Sequence, residues 1–517
     1  MRRKVWAFLE ALWPVVVLVC LFAGISRWLV GATQLSESDY GHPFIAARFI
    51  SHLGWQWIGI AAVFAGIAWK SEFRILRWPD VGTWQLRAFI TLLTTALAWN
   101  FSVLDYNAFY GQWHLADRIL LIVCIPLVAF RPFGVIFFLS ILLPFMNQFR
   151  HPGCLMFMFP EKHHLTDVLV LFTSYLILLQ WKRRDWPFYF VLLCLVAAHY
   201  WPSGYVKLKM NWLLDNELSN MIFSGYANGW LASWTNDSIV RIHDLMSGCD
   251  LPLRFFTLAI ELAALIFAWN RKFSLAIACS WVMLHLGIAV TSGICFLNWI
   301  ILDIGIVLLL RTAILEKEKT IFTRSHLLIS AVLIFFGSHW VNTSTFAWFD
   351  TRVCYTFRLS ASTVSGDTYP ISPNTLAPYD FAFTWNLFEY LNPDEQLPIR
   401  YGNARSAEIA KRVRQIATAD ELFDLEQEIG TVFFDESNSK KYRSFIQRFF
   451  AELNENPKTT WLGWIQRPAD MISSSVAGAY ACEEPVRSIT VVHLTTLFDG
   501  KQYREIRAKE LMKIDIP

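Results

Sequence analysis

Before residue 342 the chain returns eleven times to long apolar runs with few charged residues. A membrane-spanning helix needs about 20 mostly apolar residues. In lipid, only structures that satisfy their own backbone can cross. The runs fall near residues 12–31, 54–70, 87–105, 118–130, 133–148, 165–181, 187–203, 252–269, 273–290, 293–310 and 325–341. The fourth and fifth are short and separated by Arg131-Pro132, so they form either two spans or one re-entrant hairpin. The expected fold is a polytopic all-α membrane bundle of about nine to eleven transmembrane helices over residues 1–341, followed by an external α+β domain over 342–517. Hydrophobic residues make up 55% and charged residues 17% of the chain, against roughly 45–50% and about 25% in soluble domains. That balance excludes a disordered chain, a coiled coil and an ordinary cytosolic enzyme. No basic stripe or nucleic-acid motif accompanies the net charge of +3, so no nucleic-acid partner is expected.

Lys and Arg in short loops set orientation. Seventeen lie on one side of the expected bundle, from Arg2-Arg3-Lys4 through Lys182-Arg183-Arg184 to Arg324. Eight lie in the longer loops opposite. This places the N-terminus in the cytoplasm and the tail outside: periplasmic at an inner membrane, or lumenal at the endoplasmic reticulum. The basic-then-apolar start, without a small-residue cleavage site, reads as a retained signal anchor.

Cys154, Cys249, Cys354 and Cys482 fall on that outer side, where disulfides are permitted. Three pairings are open to them, and Cys354 with Cys482, which stays inside the tail, is the favoured one; the alternative is free thiols throughout. Residues 204–251 form an external connection whose amphipathic stretch, Asn211 to Trp234, reads as a surface helix, a lid or a packed loop. In the tail, Ala404–Arg414, Ala419–Gly430 and Lys441–Leu453 have helical periodicity. Ser488–Phe498 and Gln502–Ile506 read as strands around an Asp499-Gly500 turn.

No zinc signature, P-loop, nucleophile elbow or dinucleotide fingerprint is present, and no metal site is expected. The informative residues are polar groups at membrane depth, where they are costly and mark function by default. Lys207 stands among aromatics at the mouth of a span, with Tyr200 before it and Trp212 after it. Desolvation disfavours an ammonium, which suits such an amine to act as a base; the alternative is a Lys that snorkels to the interface. His163, His164 and Asp167 share a helical face, so a carboxylate can orient an imidazole for proton transfer or cap the helix. Glu261 and His285 interrupt otherwise apolar helices and pair with each other, pair with another helix, or stand beside a substrate cavity. Arg27 and Asn100 read as further interior contacts.

The segment Gly204-Tyr205-Val206-Lys207-Leu208 with Trp212 resembles the Gly-x-x-Lys-Leu-x-x-x-Trp motif of vitamin K-dependent gamma-carboxylases, within the wider horizontally transferred transmembrane family. Arg184-Asp185-Trp186-Pro187, the separation of Glu261 and His285, Phe383-Thr384-Trp385-Asn386-Leu387 and the final segment from Glu484-Pro485 to Ile514 are also similar. The resemblance covers roughly residues 160–517. The chain departs from the family at Val206, where a second Lys is usual, at Gly287-Ile288-Ala289, where a polar pair follows the inner His, and at Glu389-Tyr390-Leu391-Asn392, where a His-rich stretch is usual.

The resemblance implies a membrane enzyme that uses reduced vitamin K or a related quinone, with oxygen and carbon dioxide as co-substrates. Lys207 would deprotonate the hydroquinone, oxygen would convert it to an epoxide with release of a strong base, and that base would open a Glu side chain to carboxylation. His163 or His164 would assist, with Tyr200, Trp212, Glu261 and His285 around the cofactor. The expected partners are the lipid bilayer and a peptide or protein substrate held by the external tail. Two other readings stay open: a quinone-linked redox or epoxidising protein without carboxylation, and a non-enzymatic receptor or assembly factor.

Overall fold

The computed structural model describes residues 2–54, 56, 77–78, 84–104, 107–151, 155, 160–179, 184–456, 476 and 478–517; the side chains of 2–11, 107–108, 150 and 160–163 are not among those described. The expected span at 54–70 lies almost wholly outside these residues. Eleven helices of the first two thirds are α1 (Arg2–Ala32), α2 (Ile45–Leu53), α3 (Trp84–Ser102), α4 (Leu115–Phe130), α5 (Gly134–Asn147), α6 (Pro160–Leu178), α7 (Trp186–Lys209), α8 (Asn236–Ala263), α9 (Arg271–Ser292), α10 (Leu297–Arg311) and α11 (Arg324–Phe335). The fourth and fifth apolar runs are separate helices, α4 and α5.

Among the described residues, three segments are long and apolar enough to cross a membrane: Leu12–Ala32, Trp186–Lys209 and Arg271–Ser292. A fourth arises if Leu297–Arg311 and Leu315–Ile321, bent by 53°, act as one. Gly134–Asn147, His164–Leu178 and Arg324–Phe335 are apolar but shorter. At 1.5 Å per residue a helix of about 14 residues rises only ~21 Å. Large apolar side chains on the outer faces stay exposed, among them Trp13, Val123, Phe137, Phe255, Met283 and Leu328.

The helix α7 is the axis of the assembly. Every residue from Trp186 to Tyr200 is buried, which is why its sequence is apolar all round rather than striped. Pro187 sits in the first turn, where a missing N–H costs nothing. The helix runs on to Lys209, so Lys207 belongs to its last turn rather than to a loop. Asn211 then adopts φ 60°, a left-handed turn that suits Asn, and the chain folds back so that Trp212 is buried. At the other end of the site, α9 stops at Gly293 with φ 79°. That tight stop returns the chain into α10 alongside it, bringing His285 and Asp303 together.

The stretch Asn211 to Trp234 is a packed connection made of short helical turns, with Trp212, Ile222, Phe223, Trp230 and Leu231 buried. It ties helices to tail. The Trp230 indole N–H donates to the Thr384 carbonyl at 3.0 Å, and the Asn386 amide donates to the Asn228 Oδ1 at 2.6 Å. The Phe383–Leu387 motif therefore serves as the tail's clasp on the connection.

In the tail, an antiparallel sheet has β1 (Val353–Thr363) and β3 (Val486–Phe498) at its centre, with β2 (Thr368–Pro370) and β4 (Tyr503–Asp515) at the edges. The Asp499-Gly500 turn joins β3 to β4 as expected, though β4 extends well past Ile506. Helices α12 (Ala407–Arg414), α13 (Ala419–Ile429) and α14 (Glu436–Glu455) match the three helical stretches within a few residues. The Tyr355 hydroxyl donates to Glu426 at 2.8 Å, and Arg507 closes on the same carboxylate with two bonds of 2.8 Å. One expectation is corrected here. Cys354 carries a free thiol, buried in the sheet and accepting a hydrogen bond from the Asn228 amide at 3.7 Å, so it is not bridged to Cys482.

Candidate active site

Tyr200, Ser203 and Lys207 stand three and four residues apart on α7 and so share one face. That face lines a cavity of about 200 Å³. Across from it lie Glu261 of α8, His285 of α9 and Trp299 of α10; Trp212 of the connection and Asp350 of the tail complete the wall. Five sequence candidates, Tyr200, Lys207, Trp212, Glu261 and His285, thus share one cavity.

The Lys207 Nζ donates to the Glu261 Oε1 at 2.6 Å, and both side chains are buried. The same ammonium lies 5.1 Å from the centre of the Trp212 ring, within cation–π range. Glycine makes this approach possible, because α8 passes so close to α7 that Gly204 faces the Glu261 backbone directly. Lys207 does not snorkel outward; it is turned inward onto a carboxylate.

The second cluster is centred on Tyr200. Its hydroxyl donates to the Asp303 Oδ2 at 2.6 Å and lies 2.9 Å from the His285 Nε2. Its ring stacks on Trp281 at 3.9 Å, with planes only 4° apart. Glu261 and His285 are therefore not partners of each other. Glu261 meets Lys207 of α7, and His285 meets Tyr200 of α7 and Asp303 of α10. Ser203 accepts a bond from the Phe346 N–H at 2.9 Å, which fixes the start of the tail at the cavity.

His164 stands one layer behind. Its ring packs on His199 at 3.8 Å and on Trp299 at 3.9 Å, and it does not line the cavity. Asp167 is placed 4.0 Å from the His199 Nε2. The His163 side chain lies outside the described residues. Asn100 does make an interior contact, donating to Asn298 at 3.3 Å, whereas Arg27 donates to the His339 carbonyl at 3.4 Å in an exposed position.

His199, Trp299 and Asp350 of the cavity wall were not picked out from the sequence, nor was Asp303 just behind Tyr200. The Asp303 signal was available, since it is the lone acid in the apolar α10. Asp350 arrives from the tail. It accepts bonds from the Asn216 amide at 2.9 Å and the Trp348 indole at 3.2 Å. Burial pushes its carboxyl up to about 7, with those two donors and Lys207 working in the opposite sense.

Three polar atoms on cavity residues are buried without a hydrogen-bond partner among the described residues: Glu261 Oε2, His285 Nδ1 and Trp299 Nε1. Leaving such an atom unpaired costs about 1–3 kcal/mol, and all three stand on side chains that also line the cavity. No group of three or more metal-ligating side chains occurs among the described residues. No protein-family model, curated protein or solved structure matches this chain.

Proposed function

We propose that this chain is a membrane enzyme similar to the vitamin K-dependent gamma-carboxylases, in which the Lys207–Glu261 pair is the acid–base centre of a site for a reduced quinone. The observation that carries the reading is the buried 2.6 Å contact between these two side chains on the wall of a mainly apolar, aromatic cavity. The nine to eleven spans, the cytoplasmic N-terminus and the periplasmic or lumenal tail belong to the same proposal.

The residues present fit such a ligand. An apolar cavity of about 150 Å³ holds one benzene ring, so a cavity of about 200 Å³ suits a ring head group rather than a whole lipid. Met283, Phe256 and Leu253 line the cavity yet are 63%, 40% and 38% exposed. They form an apolar mouth between α8 and α9 through which an isoprenoid tail would leave toward the bilayer. When bound, the reduced quinone would supply the reaction with oxygen that yields an epoxide and a strong base.

The chain's own part is proton handling and exclusion of water. Lys207 can pass a proton from its ammonium to Glu261, leaving an amine lone pair to accept a proton from a hydroxyl in the cavity. Trp212 covers the amine on the side of the connection. Buried aromatic rings at Tyr200, Phe296 and Trp299 keep the walls dry, which protects a strong base from quenching. The tail, clasped to the connection through Trp230 and Asn386, would hold a peptide or protein substrate.

One observation favours the second reading, quinone-linked redox or epoxidation without carboxylation. Gly287 and Ile288 present an apolar wall to the cavity where the carboxylases have a polar pair. Purified protein in lipid discs, supplied with a reduced naphthoquinone, tests both readings. Oxygen uptake with incorporation of labelled bicarbonate into Glu-rich peptides supports the carboxylase reading. Uptake without label selects the second, and absence of uptake with any quinol contradicts both.

A further inference from the structure

We propose that Tyr200, held between His285 and Asp303, is a second proton-accepting centre of the cavity, and that the two centres bind the two oxygens of a para-dihydroxyaromatic ligand. The inference rests on the quinol reading above and adds the partner of the ligand's second oxygen.

The argument begins with the helix. Tyr200 and Lys207 are seven residues apart on one face of α7, and both line the cavity. Seven residues of α-helix rise about 10.5 Å. A para-dihydroxy ring with a hydrogen bond of about 2.8 Å at each oxygen spans roughly 11 Å. The offset of the two residues along α7 is thus of the same order as that span, which suits a ring laid along the helix, whereas a meta-dihydroxy ring points its second oxygen away from the helix axis.

The hydrogen-bond directions at Tyr200 are specific. Its own proton is committed to Asp303 at 2.6 Å, so the hydroxyl oxygen faces its other neighbours as an acceptor. The His285 Nε2 at 2.9 Å occupies one remaining direction, and one lone pair is left for a ligand hydroxyl. Asp303 is wholly buried, and its Oδ1 has no hydrogen-bond partner among the described residues. When the ligand's O–H bond breaks, its proton goes to the Tyr200 oxygen and the Tyr200 proton goes to Asp303. One O–H bond is lost and one gained at each transfer, and no electron moves. The stacked Trp281 ring holds Tyr200 in place for this.

The test is anaerobic titration calorimetry of the full chain in detergent with three probes: 1,4-dihydroxynaphthalene, 1,3-dihydroxynaphthalene and 4-methoxy-1-naphthol. The native chain is expected to bind the first about tenfold more tightly than either other probe. Tyr200→Phe should erase that preference while leaving 4-methoxy-1-naphthol binding unchanged. Asp303→Asn, which keeps the volume and removes the carboxyl that takes the Tyr200 proton, should weaken the preference in the same way and serves if the Tyr200 variant does not fold. Equal binding of all three probes, or a preference that survives both substitutions, overturns the second centre and leaves the quinol site standing. Binding of none of the three overturns the quinol site and the inference with it.

Discussion

Gly204 of α7 lies so close to Glu261 of α8 that a Cβ built on it would sit 2.8 Å from the Glu261 Cβ and 3.0 Å from the Glu261 carbonyl carbon. Glycine inside a helix costs about 0.5–1 kcal/mol relative to alanine, so it stands here because the two helices must touch. That contact delivers a carboxylate to Lys207.

Gly204→Ala should therefore destabilise, against the usual benefit of alanine in a helix. The clash is with backbone, which cannot rotate away, and overpacking of this kind costs about 1–3 kcal/mol. Thermal unfolding in detergent reads it: the melting temperature should fall. A melting temperature that rises, as propensity alone would give, contradicts the close packing.

Glu261→Gln keeps the shape and removes the charge, leaving a buried ammonium with a neutral partner. Loss of about 3–5 kcal/mol is expected for breaking such a pair. Combining it with Lys207→Met should restore much of the loss, because both charges are then gone, without restoring turnover. The double-mutant cycle checks this, and additive losses would mean that the two side chains do not interact.

Asp350 gives the molecule a pH dependence. Its carboxyl, raised by burial to about 7 in the folded chain, binds a proton more tightly than in the unfolded chain. Between about pH 4 and pH 7 the folded state thus holds the extra proton, and stability falls as pH rises through that window, then levels off above it. The melting temperature should drop between pH 5 and pH 8, and Asp350→Asn should make the drop smaller. An identical slope in the variant would remove Asp350 as its source.

Cys354 should resist alkylation. Burial pushes its thiol up to about 12, and the thiolate is the reactive form. Iodoacetamide at neutral pH should label it only after denaturation, as read by mass spectrometry of the tail peptides. Labelling of the native protein at Cys354 contradicts its place in the sheet.

The helices and most of the site were legible in the sequence for one reason: a polar residue in an apolar helix has few places to go. Lys207, Glu261 and His285 declared themselves that way, and Asp303 obeys the same rule. What periodicity does not carry is which helix packs opposite. Glu261 and His285 look like a pair along the chain, yet α8 turns the first toward Lys207, and the α9–α10 hairpin gives the second to Tyr200 and Asp303. Gly204 was the local signal for the first of these contacts. Asp350 and Trp348 had none, since their place depends on how the tail returns to the mouth of α7. The Cys354 pairing failed similarly: compartment permits a disulfide, but the β1–β3 register turns this thiol toward Asn228.

The central claim is that Lys207 moves the proton that starts the reaction. Quinol-dependent oxygen uptake by the native chain and by Lys207→Ala, in the same lipid discs, measures it most directly. General acid–base groups contribute about 10²–10⁴-fold, so uptake should fall by at least about 100-fold, with expression and helical circular dichroism unchanged. Full uptake by Lys207→Ala would contradict the account.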